Sequence, residues 1–253
     1  MKRADLIRKL EDAGCIQIRH GGNHDWYQNS KTSVAQPVPR HRDKRVSGET
    51  HSEEARLALV TGHNVLMATQ PSSLTEEQYL QLERAAEARS EFHDGQMFAM
   101  AGGSFNHSIL ASRIGSLLDR QLPSGCRVFN SDMRIKVSKG GLYTYADCGV
   151  LCGDPQLSGK DNLLNPVLIV EVLSPSTEAY DRGAKFEAYR TIESFREYLL
   201  IHQDRRHIEY YSKQHDGSWL LREYSGAEAV INIVSLSAVI PLGELYAVAL
   251  DLD

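Results

Sequence analysis

Two acidic residues sit inside strand-like apolar runs, and they constrain this chain more than anything else in it. Asp147 interrupts Leu142–Leu151, and Glu171 interrupts Val167–Leu173 between Val170 and Val172. An ionised carboxylate is costly to bury without a counter-charge, a hydrogen-bond donor or a metal, so a strand carrying one inward needs a partner from elsewhere in the fold. Downstream, Asp181 and Lys185 stand four apart in a segment that reads as helix, which puts them on one face. Hard oxygen ligands at Asp147 and Glu171 suit Mg2+ or Mn2+, and Lys185 supplies a positive charge for an attacking water or a developing phosphorane. This is a set of groups for metal-assisted phosphodiester cleavage. Spacing alone leaves a plainer reading open: Asp147 as a strand-end acid, Glu171 with Lys185 as a structural ion pair, and Asp181 with Lys185 as a solvated helix pair.

The stretch from about Thr75 to Val248 resembles the Uma-type restriction endonuclease family, bacterial proteins within the PD-(D/E)xK nuclease superfamily. The resemblance is carried by Glu91–His107, Tyr145–Val150 and Pro166–Thr177, followed in order by Asp181, Lys185 and Tyr189. It implies a restriction-endonuclease-like α/β fold, a mixed sheet flanked by helices. It also implies Asp147 and Glu171 as metal ligands, Lys185 as the catalytic lysine and Glu91 as an additional acid. Ala146 stands where a proline usually precedes the aspartate, and Leu173 where the lysine of the motif usually sits. Strand alternation puts Leu173 on the same face as Glu171, so the resemblance implies that the lysine role has moved to Lys185.

Composition sets outer limits. At 253 residues, 42% apolar and 24% charged, the chain can bury one sizeable core and a small one. No apolar run approaches the roughly 20 residues that span a membrane, and the charged amphipathic start is unlike a signal sequence, so a cytoplasmic protein is expected. Four cysteines, Cys15, Cys126, Cys148 and Cys152, lack a Cys-x-x-Cys pair and read as buried free thiols. Residues 1–50 hold 10 Lys+Arg against 6 Asp+Glu, net +4, and the remainder 18 against 27, net −9. A basic small module precedes an acidic large one.

The small module reads as a helix over Ala4–Ala13 ended by Gly14, then strands at Cys15–His20, His24–Gln28 and Ser33–Val38, within a domain of residues 1–60. Met1–Gly14, Arg19–His24 and Val38–His41 resemble a HicA-type mRNA interferase toxin, a small fold like the double-stranded RNA-binding domains. That resemblance implies His24 as the catalytic base or acid toward a ribose hydroxyl, with Asn23 in place of the usual serine. The alternative is an ordinary strand histidine beside Trp26 and Tyr27. Residues 61–74 read as a linker in which Met67 offers an internal start, and 75–253 as the large domain.

Within the large domain the expected order is a helix capped by Thr75, a strand pair turning at Asp94–Gly95, a helix over Asn106–Gln121, and a strand over Cys126–Val137. The two acidic strands follow, joined by a polar loop over 153–165; then come a helix capped by Ser176 or Thr177 and strands at Glu197–His202, Arg206–Lys213 and Trp219–Tyr224. The site is expected at one sheet edge. His107 and Asp181 are candidate nucleic-acid contacts, His107 alternatively belonging to a helix cap. Gly102–Gly103 lacks the lysine of a phosphate loop, and Tyr143 and Tyr145 read as cross-strand packing rather than base stacking. Three functions stay open: a metal-dependent endonuclease acting on DNA, a nucleic-acid-binding or interaction protein with degenerate sites, and a His24-dependent ribonuclease toxin. The candidate partners are DNA, RNA through residues 1–50, an antitoxin-like protein and a second copy of the chain, with no membrane.

Overall fold

A computed structural model describes residues 3–12, 14–20, 24–29, 34–39, 73–100, 102–137 and 141–252. The linker over 61–74 lies almost wholly outside them, as do Met67 and the segment from Ser52 to Val60. Contacts divide the chain into two compact units, 1–101 and 102–253.

In the first unit α1 (Arg3–Asp12) is followed by β1 (Cys15–His20), β2 (His24–Asn29) and β3 (Val34–Pro39), paired as antiparallel neighbours. Gly14 takes a positive φ of 80° just past the helix, the left-handed stop that glycine permits. Helix α2 (Glu76–Ala85) begins with a full capping box: the Gln78 N–H donates to the Thr75 hydroxyl, and the Thr75 N–H donates to the Gln78 side chain. β4 (Ser90–His93) and β5 (Gln96–Ala99) form a hairpin turning at Asp94 and Gly95, both at positive φ as a primed two-residue turn requires. β5 also pairs in parallel with β3 through Val34 and Ala35. Tyr79 of α2 stacks on Phe92 and donates its hydroxyl to the Ser90 carbonyl.

The second unit is built on a six-stranded sheet in the order β15, β14, β13, β12, β9, β6. Here β6 is Cys126–Asn130, β9 Cys148–Cys152, β12 Pro166–Leu173, β13 Glu197–His202, β14 His207–Lys213 and β15 Trp219–Ser225. Only β12 and β13 run parallel; their neighbours are antiparallel. β7 (Arg134–Val137), β8 (Leu142–Tyr145), β10 (Leu157–Ser158) and β11 (Asn162–Leu163) pair in the order β8, β7, β11, β10.

Alternation along β12 creates two cores. Leu168, Val170 and Val172 face α3 (Phe105–Asp119), the hairpin β16 (Val230–Ile233) and β17 (Ala238–Pro241), and α6 (Leu242–Tyr246). Leu110, Ile114, Leu117 and Leu118 are the buried stripe of α3, each worth about 1.5–3 kcal/mol. Ile169 and Leu173 lie on the other face with Phe186, Tyr189 and Tyr198, and Glu171 shares that face. Two short helices, α4 (Glu178–Tyr180) and α5 (Phe186–Tyr189), enclose a π-helical turn over Asp181–Lys185.

Several expectations are corrected. The run expected as one strand over Cys126–Val137 is two, separated by a turn. The Leu142–Leu151 run breaks at Ala146 and Asp147, because the chain leaves the ladder of β7 there to join β12. Neither Ser176 nor Thr177 caps the following helix with its side chain; both hydroxyls pair with Ser174 Oγ instead. Cys126 and Cys152 are joined in a disulfide rather than free, since ladder register makes them direct partners on β6 and β9. Cys15 and Cys148 are buried free thiols. Among the described residues no helix is long and apolar enough to cross a membrane.

The same ladder places Gly149 under the Phe129 ring, where an added Cβ would stand 2.8 Å from both Cε atoms. Because Phe129 is itself packed in the core, Gly149→Ala is expected to cost about 1–3 kcal/mol. Each kcal/mol lowers the thermal midpoint by roughly 2–4 °C at this length, which calorimetry would read.

Candidate active site

Five of the predicted residues converge in the second unit. Glu171 lies on β12, an interior strand, so the site is among central strands and not at the expected edge. Its Oε1 is 3.0 Å from Lys185 Nζ and accepts a hydrogen bond of 3.1 Å from the Tyr189 hydroxyl. Lys185 Nζ is also 3.4 Å from Asp181 Oδ1 across the π-helical turn, and all three charged residues are at most 5% exposed. The solvated helix pair is therefore a buried one. A π turn inserts one residue into the helical ladder and often marks a functional site. Here the Asp181 carbonyl accepts a 3.1 Å bond from the Tyr198 hydroxyl.

Asp147 sits at the break between β8 and β9, where it is freed from strand alternation. Its Oδ2 accepts the Val172 backbone N–H at 2.7 Å and lies 3.3 Å from His107 Nε2. His107 belongs to the first turn of α3; its own N–H is capped by Ser104 Oγ, so it is both a capping-region residue and a partner of the site. Glu91 is buried on β4 of the first unit, opposite Phe98. His24 opens β2, and its side chain lies outside the described residues. Tyr189 and the Val172 N–H were not assigned roles from sequence. The four-residue spacing of Lys185 and Tyr189 was a signal for the first; a backbone donor leaves none.

Burial pushes the Glu171 carboxyl well above the ordinary carboxylate range. Lys185 partly opposes this, and the charges of Asp181 and Asp147 push further up. For His107 burial alone would favour the neutral ring, but the hydrogen bond and charge of Asp147, aided by Asp181, outweigh it and raise the imidazole above its usual value. The Cys148 thiol beside them is pushed up to about 12 by burial and by Asp147. The cluster thus holds more carboxylate than Lys185 alone can balance. An oxygen-rich donor set with excess buried negative charge fits a hard divalent cation.

Residues 76–243 match the Uma2 family, described as "Putative restriction endonuclease". The chain belongs to this family. Two uncharacterized proteins of Synechocystis sp., slr1290 and sll1609, are each 39% identical to it, over 168 and 165 residues. These alignments span 64% and 62% of this chain and 88% and 91% of the relatives. A crystal structure from Anabaena variabilis, titled as a "putative nuclease belonging to DUF820", superposes with a TM-score of 0.56 at 17% identity. It covers 69% of this chain and 98% of its own, and so has the same fold. Membership of the Uma2 family supports a nuclease activity for this chain. The family match begins after the N-terminal module.

Two measurements test these electrostatics. Because the Glu171 carboxyl is raised in the folded state, its contribution to stability is full below the ordinary carboxyl value and is lost as pH rises through the raised one. In metal-free buffer Glu171→Gln should therefore melt above the wild type at neutral pH, with the gap closing as the solution is acidified toward pH ~4. For the His107 imidazole, an NMR titration should give a midpoint above the ordinary value, falling in Asp147→Asn.

Proposed function

We propose that this protein is a divalent-metal-dependent endonuclease that hydrolyses DNA phosphodiester bonds at the cluster of Asp147, Glu171 and Lys185. The observation that carries the reading is one buried pocket of charge in which a lysine is shared between Glu171 and Asp181 while Asp147 stands beside it on a backbone donor. Both contacts of Asp147 use Oδ2, so Oδ1 would be the oxygen it offers to a metal. Asp147 and Glu171 would hold Mg2+ or Mn2+, which when bound supplies Lewis-acid activation of a phosphoryl oxygen and of water.

The chain's own groups do the rest. Lys185 would offset charge growing on the phosphorane, and Tyr189 fixes the Glu171 carboxylate that the lysine shares. His107, held by Asp147, is a donor for a substrate phosphate or the leaving oxygen. A cleft of about 490 Å3 is lined by Ser104, Phe105, Leu173, Ser174, Glu178 and His202 among others, and not by the side chains of the cluster itself. Asp181 is paired with Lys185 at 3.4 Å, so its role is indirect. The domain division follows the same reading: residues 75–253 as the nuclease, supported by a family match that begins at residue 76, and 1–60 as an appended module joined by 61–74.

Cleavage of DNA and of RNA by the full chain, with Mg2+ and with EDTA, tests this. DNA cutting should require the metal and fall by about 10²–10⁴-fold in Asp147→Asn, Glu171→Gln and Lys185→Ala, as the loss of electrostatic and proton-transfer groups predicts. Metal-independent RNA cutting that disappears in His24→Ala would instead move the chemistry to the N-terminal module.

A further inference from the structure

A second cluster of ligating side chains stands at the tip of the hairpin formed by β13 and β14. His202 ends β13, while His207 and Glu209 lie on one face of β14, and one ligand atom of each is within 4.8 Å of the others. The backbone holds the two histidines together: the Tyr246 hydroxyl is shared between the His202 carbonyl at 2.9 Å and the His207 carbonyl at 2.7 Å. Each ring also has one nitrogen facing an outer oxygen. His207 Nδ1 is paired with Ser225 Oγ at 2.7 Å, and His202 Nδ1 lies 3.8 Å from Asp204 Oδ1. That leaves both Nε2 atoms for ligation. His202 Nε2 is 3.3 Å from Glu209 Oε1, and His207 Nε2 is 3.9 Å from Glu223 Oε1 on β15. Imidazoles that bind metal are commonly oriented by an oxygen on the distal nitrogen, as His207 is by Ser225 Oγ.

The positive charge now at this cluster comes from a side chain. Arg182 donates from Nε and Nη2 to Glu209, and its Nη2 lies 3.2 Å from His202 Nε2. Its Nη1 donates to Glu178 at 2.9 Å, so the arginine keeps a carboxylate partner when it gives up Glu209. The site has a way in, because His202 and Glu178 also line the cleft of about 490 Å3.

We propose that His202, His207 and Glu209, with Glu223 within reach as a fourth ligand, form a binding site for a divalent transition metal of the Zn2+ type, separate from the oxygen-donor cluster at Asp147 and Glu171. Two imidazole nitrogens and a carboxylate select a borderline metal over Mg2+. Metal–ligand bonds of about 2.0–2.2 Å place tetrahedral donors about 3.4 Å apart, so the widest pair closes by no more than about 1.5 Å. Side-chain rotation and withdrawal of Arg182 provide that movement.

Equilibrium dialysis with Zn2+ tests the site, using full-length protein carrying Asp147→Asn and Glu171→Gln so that the oxygen-donor cluster contributes little. That protein should retain one more equivalent of Zn2+ than the same protein with His207→Ala, and Zn2+ should raise its thermal midpoint but not that of the His207→Ala form. Adding Arg182→Gln, which removes the competing cation, should tighten the same equivalent by about tenfold, a gain of about 1.4 kcal/mol. Equal Zn2+ uptake with and without His207 would overturn the proposal, and so would an affinity that Arg182→Gln leaves unchanged or weakens.

Discussion

Glu171 is carried inward on β12, a strand with sheet neighbours on both sides, and a carboxylate in that position cannot be left to solvent. The surrounding structure answers this burial. Lys185 and Tyr189 reach it from the segment running from α4 to α5, and Asp181 reaches Lys185 from within the same segment. Removing Lys185 from such a buried set would cost about 3–5 kcal/mol, because two carboxylates would be stranded. The position of the helical segment over the sheet, its π turn and the seating of Phe186 and Tyr189 in the apolar cluster are therefore tied to one acidic side chain. Burial first, and then the charges of Asp181 and Asp147, raise the Glu171 carboxyl, and a bound cation would relieve both.

One face of the sheet acts as a charged platform along its length. Glu171 lies on β12, His202 on β13 and Glu209 on β14, and the helical segment above supplies a cation to each end. Lys185 serves the first, Arg182 the second. Arg182 and Asp181 are adjacent in sequence, and successive helical residues point about 100° apart, so one turn of chain serves two clusters that do not share a side chain. The chemistry of the two differs: oxygen donors with a lysine at one, imidazoles with an arginine at the other. That difference underlies the assignment of a hard cation to the first and a borderline metal to the second.

Much of the local structure was legible. Periodicity marked α3 and its buried stripe, Asp94–Gly95 marked the hairpin of β4 and β5, Gly14 marked the end of α1, and Thr75 marked the start of α2. These rest on interactions within a few residues, where side-chain type decides backbone conformation. The helix cap at Thr177 was misread because a third hydroxyl, Ser174, competes for both candidates. The disulfide was missed because Cys126 and Cys152 are 26 residues apart in sequence and meet only through ladder register. Expecting an edge site failed for a similar reason, since strand order is not written in strand sequence.

By itself the sequence determined that Asp147 and Glu171 would need partners, because the cost of burying charge is a property of residue type and apolar surroundings. It also determined that Asp181 and Lys185 would meet, because four residues of helix bring them together. The tertiary structure alone decided that His107 would pair with Asp147, that the Val172 N–H would hold the same oxygen, and that His202, His207 and Glu209 would gather around Arg182. Those contacts join elements far apart in the chain. Their geometry comes from sheet order, register and the break after β8, which arise only when the whole core packs.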